Sequence, residues 1–304
     1  MKMGFAGAGA VGCHYGSKLA QAGASVVLLA RGAHLLAMQR DGLLHESEGH
    51  TLRVPMCASD DVDVLAACDV VFFACKMTGL PSLIEQLRGR LAAGTLLVTL
   101  QNGVQAPAML ADAFYGYPVV AGTAFIGARL EAPGHVIHSA AGGVRLGAWS
   151  AEVDAGRLQQ LVATLQQAGI PARIEEDPVV MLWRKLLWNC GFNAMTAITR
   201  RYAGEIVADP ALREMAELAM QETVAVACAS GVALTEADIA GHVAITAAMG
   251  PVKTSMWQDI EAGRPVEVDY INGYVAGEAE RLGLAAPVNR LLAVLVRAMA
   301  ERGY

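Results

Sequence analysis

Gly7-Ala8-Gly9-Ala10-Val11-Gly12 follows a short apolar run, Lys2–Ala6, and opens a stretch, 11–22, whose Val11, Tyr15 and Leu19 share one helical face. Strand, tight turn and helix in that order form the context in which G-x-G-x-x-G binds a dinucleotide. Gly7 permits the turn, Gly9 lets the backbone approach a diphosphate, and Gly12 lets helix and strand pack closely. Ala8, Ala10 and Val11 add backbone to the helix N-terminus, where unpaired N–H groups and the dipole favour an anion.

Outward from this turn, Ser25–Ala30, Asp69–Ala74 and Thr95–Thr99 are short apolar runs rich in β-branched residues, separated by helical patterns at 32–40, 79–91 and 103–114. That alternation predicts a mostly parallel sheet covered by helices on both faces. Residues 117–148 read as shorter strands broken at Pro133-Gly134 and Gly142-Gly143, with a helix to follow at 153–168. Beyond Ile174 nearly everything reads as helix: 178–195, 210–230, 235–248, 255–262, 269–282 and 287–302. The expectation is an α/β fold with a Rossmann-like domain at 1–173 and an all-helical domain at 174–304.

Composition narrows the function class. Of 304 residues, 54% are apolar and only 17% charged, with a net charge of −6. Typical soluble domains carry about 25% charged residues, so disorder is excluded and the apolar surplus needs burial. No basic tract exists to neutralise a nucleic-acid backbone. The longest uncharged run, Leu91 to Ala111, holds Gly94, Asn102, Gly103 and Pro107 and suits a strand, turn and helix start better than a membrane span. The Gly spacing after Met1-Lys2 argues against a signal peptide. Cysteines at 13, 57, 68, 75, 190 and 228 form no C-x-x-C pair, which suits buried thiols in a reducing cytoplasm. His135 and His138 have no carboxylate or Cys to complete a ligand set, so no metal is expected. Part of the apolar surplus leaves room for a homodimer.

Several polar residues stand out against this background. Arg31 follows the second strand near the spacing of about 20 residues past the Gly loop where NAD-specific folds carry a carboxylate. An Arg there grips a phosphate by a charge-assisted fork, which predicts NADP(H). Lys76 follows Asp69–Ala74, and Asn102 follows Thr95–Thr99, both at the carboxyl ends of strands where ligands bind in open α/β sheets. Asn102-Gly103 reads equally as a plain turn. The most informative helix, 178–195, is apolar almost all round, yet Lys185, Asn189 and Asn193 interrupt it at i, i+4, i+8 and so form one stripe. A buried Lys needs a partner or a wet cavity. Lys185 therefore reads as a general acid that protonates a carbonyl oxygen as hydride arrives. Ser255-x-x-Gln258 reads as a site serine or a capping box. Glu267, among Pro265, Val266 and Val268, reads as a site carboxylate or as a salt-bridge or helix-start charge.

In these residues the chain resembles the ketopantoate reductase (2-dehydropantoate 2-reductase) family along essentially its whole length. The resemblance rests on GAGAVG at 7–12, Lys76, Gln101-Asn102-Gly103, Trp183-Arg184-Lys185-Leu186 with Asn189-Cys190 and Asn193, Thr196-Ala197-Ile198, and Ser255-Met256-Trp257-Gln258-Asp259-Ile260 followed by Glu267-Val268-Asp269-Tyr270-Ile271-Asn272-Gly273. It implies NADPH-dependent reduction of a 2-oxo acid to a 2-hydroxy acid, with ketopantoate, on the route to pantothenate, as the default substrate. It further implies Lys185 as proton donor and Glu267 as the supporting carboxylate. Asn102, Asn189, Asn193 and Ser255 match substrate contacts. Arg31, Lys76, Asn102 and the backbone at Ala128 match cofactor contacts. Val252 and Ala203 stand where some members carry Asn, which removes donors on the substrate side and admits a paralogue acting on another branched or bulky 2-oxo acid. A non-catalytic NADP(H)-binding sensor is the alternative from another class, but such a protein has no use for Lys185 and Glu267 together.

Overall fold

The protein is described here by a computed structural model covering residues 1–302. It is a mixed α/β chain of two compact units: residues 1–101 with 105–178, and residues 102–104 with 179 onward. The expected boundary at 173 falls inside a strand, Ala172–Ile174, whose pairing keeps this segment in the first unit. The tripeptide 102–104 groups with the second unit, although it directly follows a strand of the first.

The first unit holds strands β1 (Lys2–Ala6), β2 (Ser25–Leu29), β3 (Leu43–Ser47), β4 (His50–Val54), β5 (Cys57–Ser59), β6 (Val70–Phe73), β7 (Leu96–Thr99), β8 (Val119–Ala132), β9 (His135–Ala148) and β10 (Ala172–Ile174). Its helices are α1 (Ala10–Gln21), α2 (Gly32–Asp41), α3 (Leu80–Leu87), α4 (Ala106–Ala113) and α5 (Ala155–Gln167). The strands make one sheet in the order β4-β3-β9-β8-β7-β6-β1-β2-β5, with β10 also on β9. All pairings are parallel except β3–β4 and β8–β9. The runs read as buried strands are buried on both faces, and Phe5 stacks on Phe72 with ring centroids 4.8 Å apart.

Two expectations for this unit change. Residues 117–148 are not several short strands but one long hairpin turning at Pro133-Gly134. Gly142 does not break β9; it takes a left-handed φ of 116° beside Ala141, also left-handed, and the pairing absorbs the irregularity as a register shift. The polar strands β3 and β4 have no counterpart in the sequence reading, because β4 is an edge strand that offers almost no buried side chain. Together they curl the sheet so far that α1 touches β1, β2, β3, β4, β8 and β9. Hence α1 is buried nearly all round rather than on one stripe. His14 Nδ1 on α1 lies 3.0 Å from His45 Nε2, its ring centroid lies 4.2 Å from that of His138 at a tilt, and burial, with those two rings next, drives its pKa far below the ordinary value. Burial likewise lowers the His45 pKa to about 4, so the His14 and His45 rings are packed as neutral imidazoles. Cys57 and Cys228 are exposed, contrary to the expectation of buried thiols; Cys57 lies on the short edge strand β5.

The second unit comprises α6 (Pro178–Thr199), α7 (Ala203–Ala208), α8 (Pro210–Ala229), α9 (Glu236–Ala247), α10 (Ser255–Glu261), α11 (Asn272–Arg281) and α12 (Pro287–Arg302). Its starts follow capping chemistry: Asp209 accepts from the Ala211 and Leu212 amides ahead of Pro210, and Thr235 and Asp238 cap each other's backbone. A buried amide pair braces α6: Asn272 Nδ2 donates to the Cys190 carbonyl and to Asn289, both at 2.9 Å. Asn289 in turn donates to the Glu222 carboxylate at 2.8 Å. Among the described residues no helix is long and apolar enough to cross a membrane.

Candidate active site

In the first unit the expected cofactor residues leave one edge of the sheet. β6, β1 and β2 are parallel neighbours, and from their carboxyl ends run Lys76, the Gly loop and Arg31. The chain moves to opposite sides of β1 to form β2 and β6, so the loop sits at the point where strand order reverses. Each glycine answers a different demand. Gly7 has φ +121°, and a Cβ there would come within 2.5 Å of the Cys75 amide nitrogen. A Cβ on Gly12 would overlap the Gly7 carbonyl oxygen. At Gly9 the nearest atom to a Cβ would be Ala74 O, 3.9 Å away, so internal packing does not demand this glycine. Gly9 begins α1 with no side-chain cap and no acidic residue in the first turn. Open space beside uncapped amides fits the diphosphate of a dinucleotide. Arg31 is exposed at the start of α2, and its guanidinium makes no ion pair among the described residues. Lys76 is half-buried. Ala128 lies apart from these strand ends, inside β8, where pairing with β9 shifts register.

The second unit gathers the other group. Along α6, Lys185, Asn189 and Asn193 are 8%, 3% and 2% exposed, so the stripe is buried as its spacing predicts. Burial lowers the Lys185 pKa to about 8, and the nearby Glu267 carboxylate opposes the fall by favouring the ammonium. Glu267 is itself 8% exposed and accepts from Asn102 Nδ2 at 3.3 Å. Asn102 reaches it because Gly103 adopts φ +88° and lies so close to the Tyr270 carbonyl that a Cβ would be 2.8 Å from that oxygen. Asn102-Gly103 is therefore a turn that also brings the Asn102 amide to the Glu267 carboxylate. Asn189 Nδ2 is fully buried with no hydrogen-bond partner among the described residues. An unmade buried hydrogen bond costs about 1–3 kcal/mol, a cost that an acceptor from a ligand would relieve.

Ser255 is not the helix cap. Thr254 caps α10 by accepting from the Trp257 amide at 3.4 Å, while Ser255 is the first helical residue, exposed, with no hydrogen bond to its hydroxyl among the described residues. The sequence reading missed how Ser255 is held: Thr254 Oγ1 lies 2.7 Å from Thr196 Oγ1, which donates to the Asn193 carbonyl at 3.1 Å. The signal was a Thr directly before the serine, at an N-cap position. Val252 is half-buried, and Ala203 is buried at the start of α7. No group of three or more His, Cys, Asp or Glu among the described residues is arranged to hold a metal ion.

The family model for ketopantoate reductase PanE/ApbA matches residues 3–151, and that for its C-terminal part matches residues 179–300. The chain belongs to the ketopantoate reductase family. It is therefore an oxidoreductase of the class that acts on a CH–OH group. It is 33% identical over 299 residues to a 2-dehydropantoate 2-reductase of Halobacterium salinarum, covering 97% of each chain. Its fold matches the crystal structure of a PanE/ApbA family ketopantoate reductase from Ralstonia eutropha with TM-score 0.91 at 32% identity, covering 100% of this chain and 99% of the other. The fold also matches a D-mandelate dehydrogenase solved with NADH and anilino(oxo)acetate, with TM-score 0.92 at 24% identity over 100% and 99% of the two chains.

Proposed function

We propose that the protein reduces a 2-oxo acid to the 2-hydroxy acid with NADPH, and that its substrate is ketopantoate. The observation that carries this reading is the buried row of Lys185, Asn189 and Asn193 with Glu267 beside the lysine. When bound, the reduced nicotinamide supplies a hydride to C2. The remaining work belongs to the chain. Lys185 Nζ donates a proton to the ketone oxygen as negative charge develops there. Glu267 keeps that ammonium charged despite burial and, through Asn102, is itself held in position. Asn189 and Asn193 offer amide N–H groups, and Ser255 offers its hydroxyl, to the oxygens of the substrate carboxylate. The Gly7–Gly12 loop, Lys76, the backbone at Ala128 and Arg31 bind the dinucleotide, with Arg31 gripping the 2′-phosphate that distinguishes NADPH from NADH. The curated relatives named 2-dehydropantoate 2-reductase support ketopantoate as the substrate.

One observation favours a second reading. Val252 and Ala203 offer no side-chain donor on the substrate side, which suits a 2-oxo acid with a bulky apolar branch in place of a hydroxyl. The test is oxidation of NADPH and of NADH with ketopantoate, pyruvate, a branched aliphatic 2-oxo acid and an aromatic one, by the wild type and by Arg31→Asp. The wild type should prefer NADPH and ketopantoate, and Arg31→Asp should lose the preference for NADPH. Turnover of ketopantoate no faster than that of pyruvate would remove the ketopantoate assignment. An unchanged cofactor preference in Arg31→Asp would remove the phosphate-gripping role.

A further inference from the structure

A chain of hydrogen bonds reaches the phosphate loop from inside the first unit. The Gly134 amide, at the turn of the β8–β9 hairpin, donates to His34 Nδ1 at 2.9 Å. A backbone amide can only donate, so Nδ1 is bare and the neutral ring carries its hydrogen on Nε2. Nε2 lies 3.3 Å from Cys13 Sγ and donates to it. The thiol hydrogen is then left for the Ala8 carbonyl, 3.3 Å from Sγ. All three contacts are satisfied together by this one assignment of protons. Burial favours it by disfavouring the charged form of each group: it lowers the His34 pKa, opposed by a hydrogen bond to the Ala8 backbone, and raises that of Cys13 to about 12.

Both ends of the chain are anchored. Gly134 has φ +73°, a Cβ there would fall 2.8 Å from the Ala37 Cβ on α2, and its carbonyl accepts from the Leu44 amide at 2.8 Å. At the other end the Ala8 amide donates to the Leu29 carbonyl at 3.1 Å. The peptide joining Ala8 to Gly9 is planar and trans, so the Gly9 N–H points opposite to the Ala8 carbonyl. With that carbonyl turned towards Cys13, the Gly9 amide is turned away from it, and no backbone acceptor takes it among the described residues.

We propose that His34 and Cys13 are positioning residues for the dinucleotide: the chain Gly134–His34–Cys13–Ala8 fixes the Ala8–Gly9 peptide and so aims the Gly9 amide at the diphosphate. This rests on the cofactor reading given above. Neither residue touches the ligand; each acts through the peptide.

The test is the dissociation constant of the purified protein for NADPH, by fluorescence titration without substrate, alongside thermal melting. Cys13→Ala should weaken binding about tenfold, and His34→Ala should do the same, because one hydrogen-bond chain is cut in either case. The double variant should be no weaker than the worse single one. Cys13→Ser, which keeps a donor and an acceptor, should recover most of the affinity. In turnover, the KM for NADPH should rise more than kcat falls. If Cys13→Ala does not fold, His34→Ala carries the same expectation from a half-buried side chain. Wild-type affinity in both alanine variants, with or without a lower melting temperature, would overturn the proposal while leaving the cofactor reading intact. A wild-type protein that binds neither NADPH nor NADP⁺ would instead overturn the cofactor reading.

Discussion

The Gly7–Gly12 loop and the α6 stripe are built of opposite materials. In the proposed cofactor role the loop works by what it lacks: Gly12 leaves room for the Gly7 carbonyl, Gly9 faces open space, and the groups to be offered to a ligand are backbone amides. The stripe, in its proposed role, works by side chains that an apolar helix would otherwise exclude, an ammonium and two carboxamides at 8% exposure or less. A backbone site is harmed by adding carbon, and neighbouring side chains matter to it only where they hold its peptides in place. A side-chain site has the reverse sensitivity, since removing one buried polar group removes its function and leaves its partner unpaired. The two regions should therefore separate in experiment: changes on α6 act on turnover, and changes around the loop act on cofactor affinity.

The largest effect is expected at Lys185. Lys185→Ala should lower kcat with the 2-oxo acid by about 10²–10⁴-fold, the usual worth of a positioned general acid. Its dissociation constant for NADPH should stay near that of the wild type, because the loop is untouched. A variant that turns over at the wild-type rate would remove the proton-donor role. One that loses NADPH binding as severely as turnover would erase the contrast between the two regions.

The next test is pH. With the Lys185 pKa held near 8, the acid form is lost above that value, and kcat/KM should fall about tenfold per unit from there. Stability should move the other way. The unfolded lysine titrates at its ordinary 10.5, so between about 8 and 10.5 the unfolded chain binds the extra proton and the folded one does not. Burial of the ammonium thus destabilises the fold fully below pH 8, and the penalty is relieved as pH rises through that window. For a shift of this size the relief is on the order of 3 kcal/mol. Denaturant unfolding of the wild type against Lys185→Met, followed from pH 7 to 10.5, isolates it: the wild type should gain relative to the variant. A flat difference would mean that the lysine is not buried as a charge.

These expectations draw on features the sequence exposes unequally. The Gly loop and the i, i+4, i+8 stripe are local, and local spacing carries to the structure because helix periodicity and turn geometry act over a few residues. Long-range partners are not local. Asn102 meets Glu267 across 165 positions of chain, and His34 meets the Gly134 amide across 100. Nothing in the composition of either stretch announces these meetings. The β3–β4 hairpin escaped for a different reason: its strands lie towards one edge of the sheet and are half solvated, so they lack the apolar run that marks β1 or β6. Its omission hid the curl that buries His14 and Ser17 on α1.

The smallest effect tests whether the stripe needs its own internal support, as the loop does. The Thr196 hydroxyl donates to the Asn193 carbonyl, so the hydrogen between the two threonines comes from Thr254, whose oxygen also accepts from the Trp257 amide. This run of three hydrogen bonds joins the residue that ends the stripe to the turn that presents Ser255. Thr196→Val keeps the shape, removes the hydroxyl and leaves the buried Thr254 hydroxyl short of an acceptor, at about 1–3 kcal/mol of stability. If the run sets the distance between Asn193 and Ser255, the KM for the 2-oxo acid should rise a few-fold, kcat and the NADPH dissociation constant should move less, and Thr196→Ser should restore the KM. A loss of stability with an unchanged KM would mean that the hydroxyls only pack α6 against α10, and that the spacing of the substrate donors is set by the helices themselves.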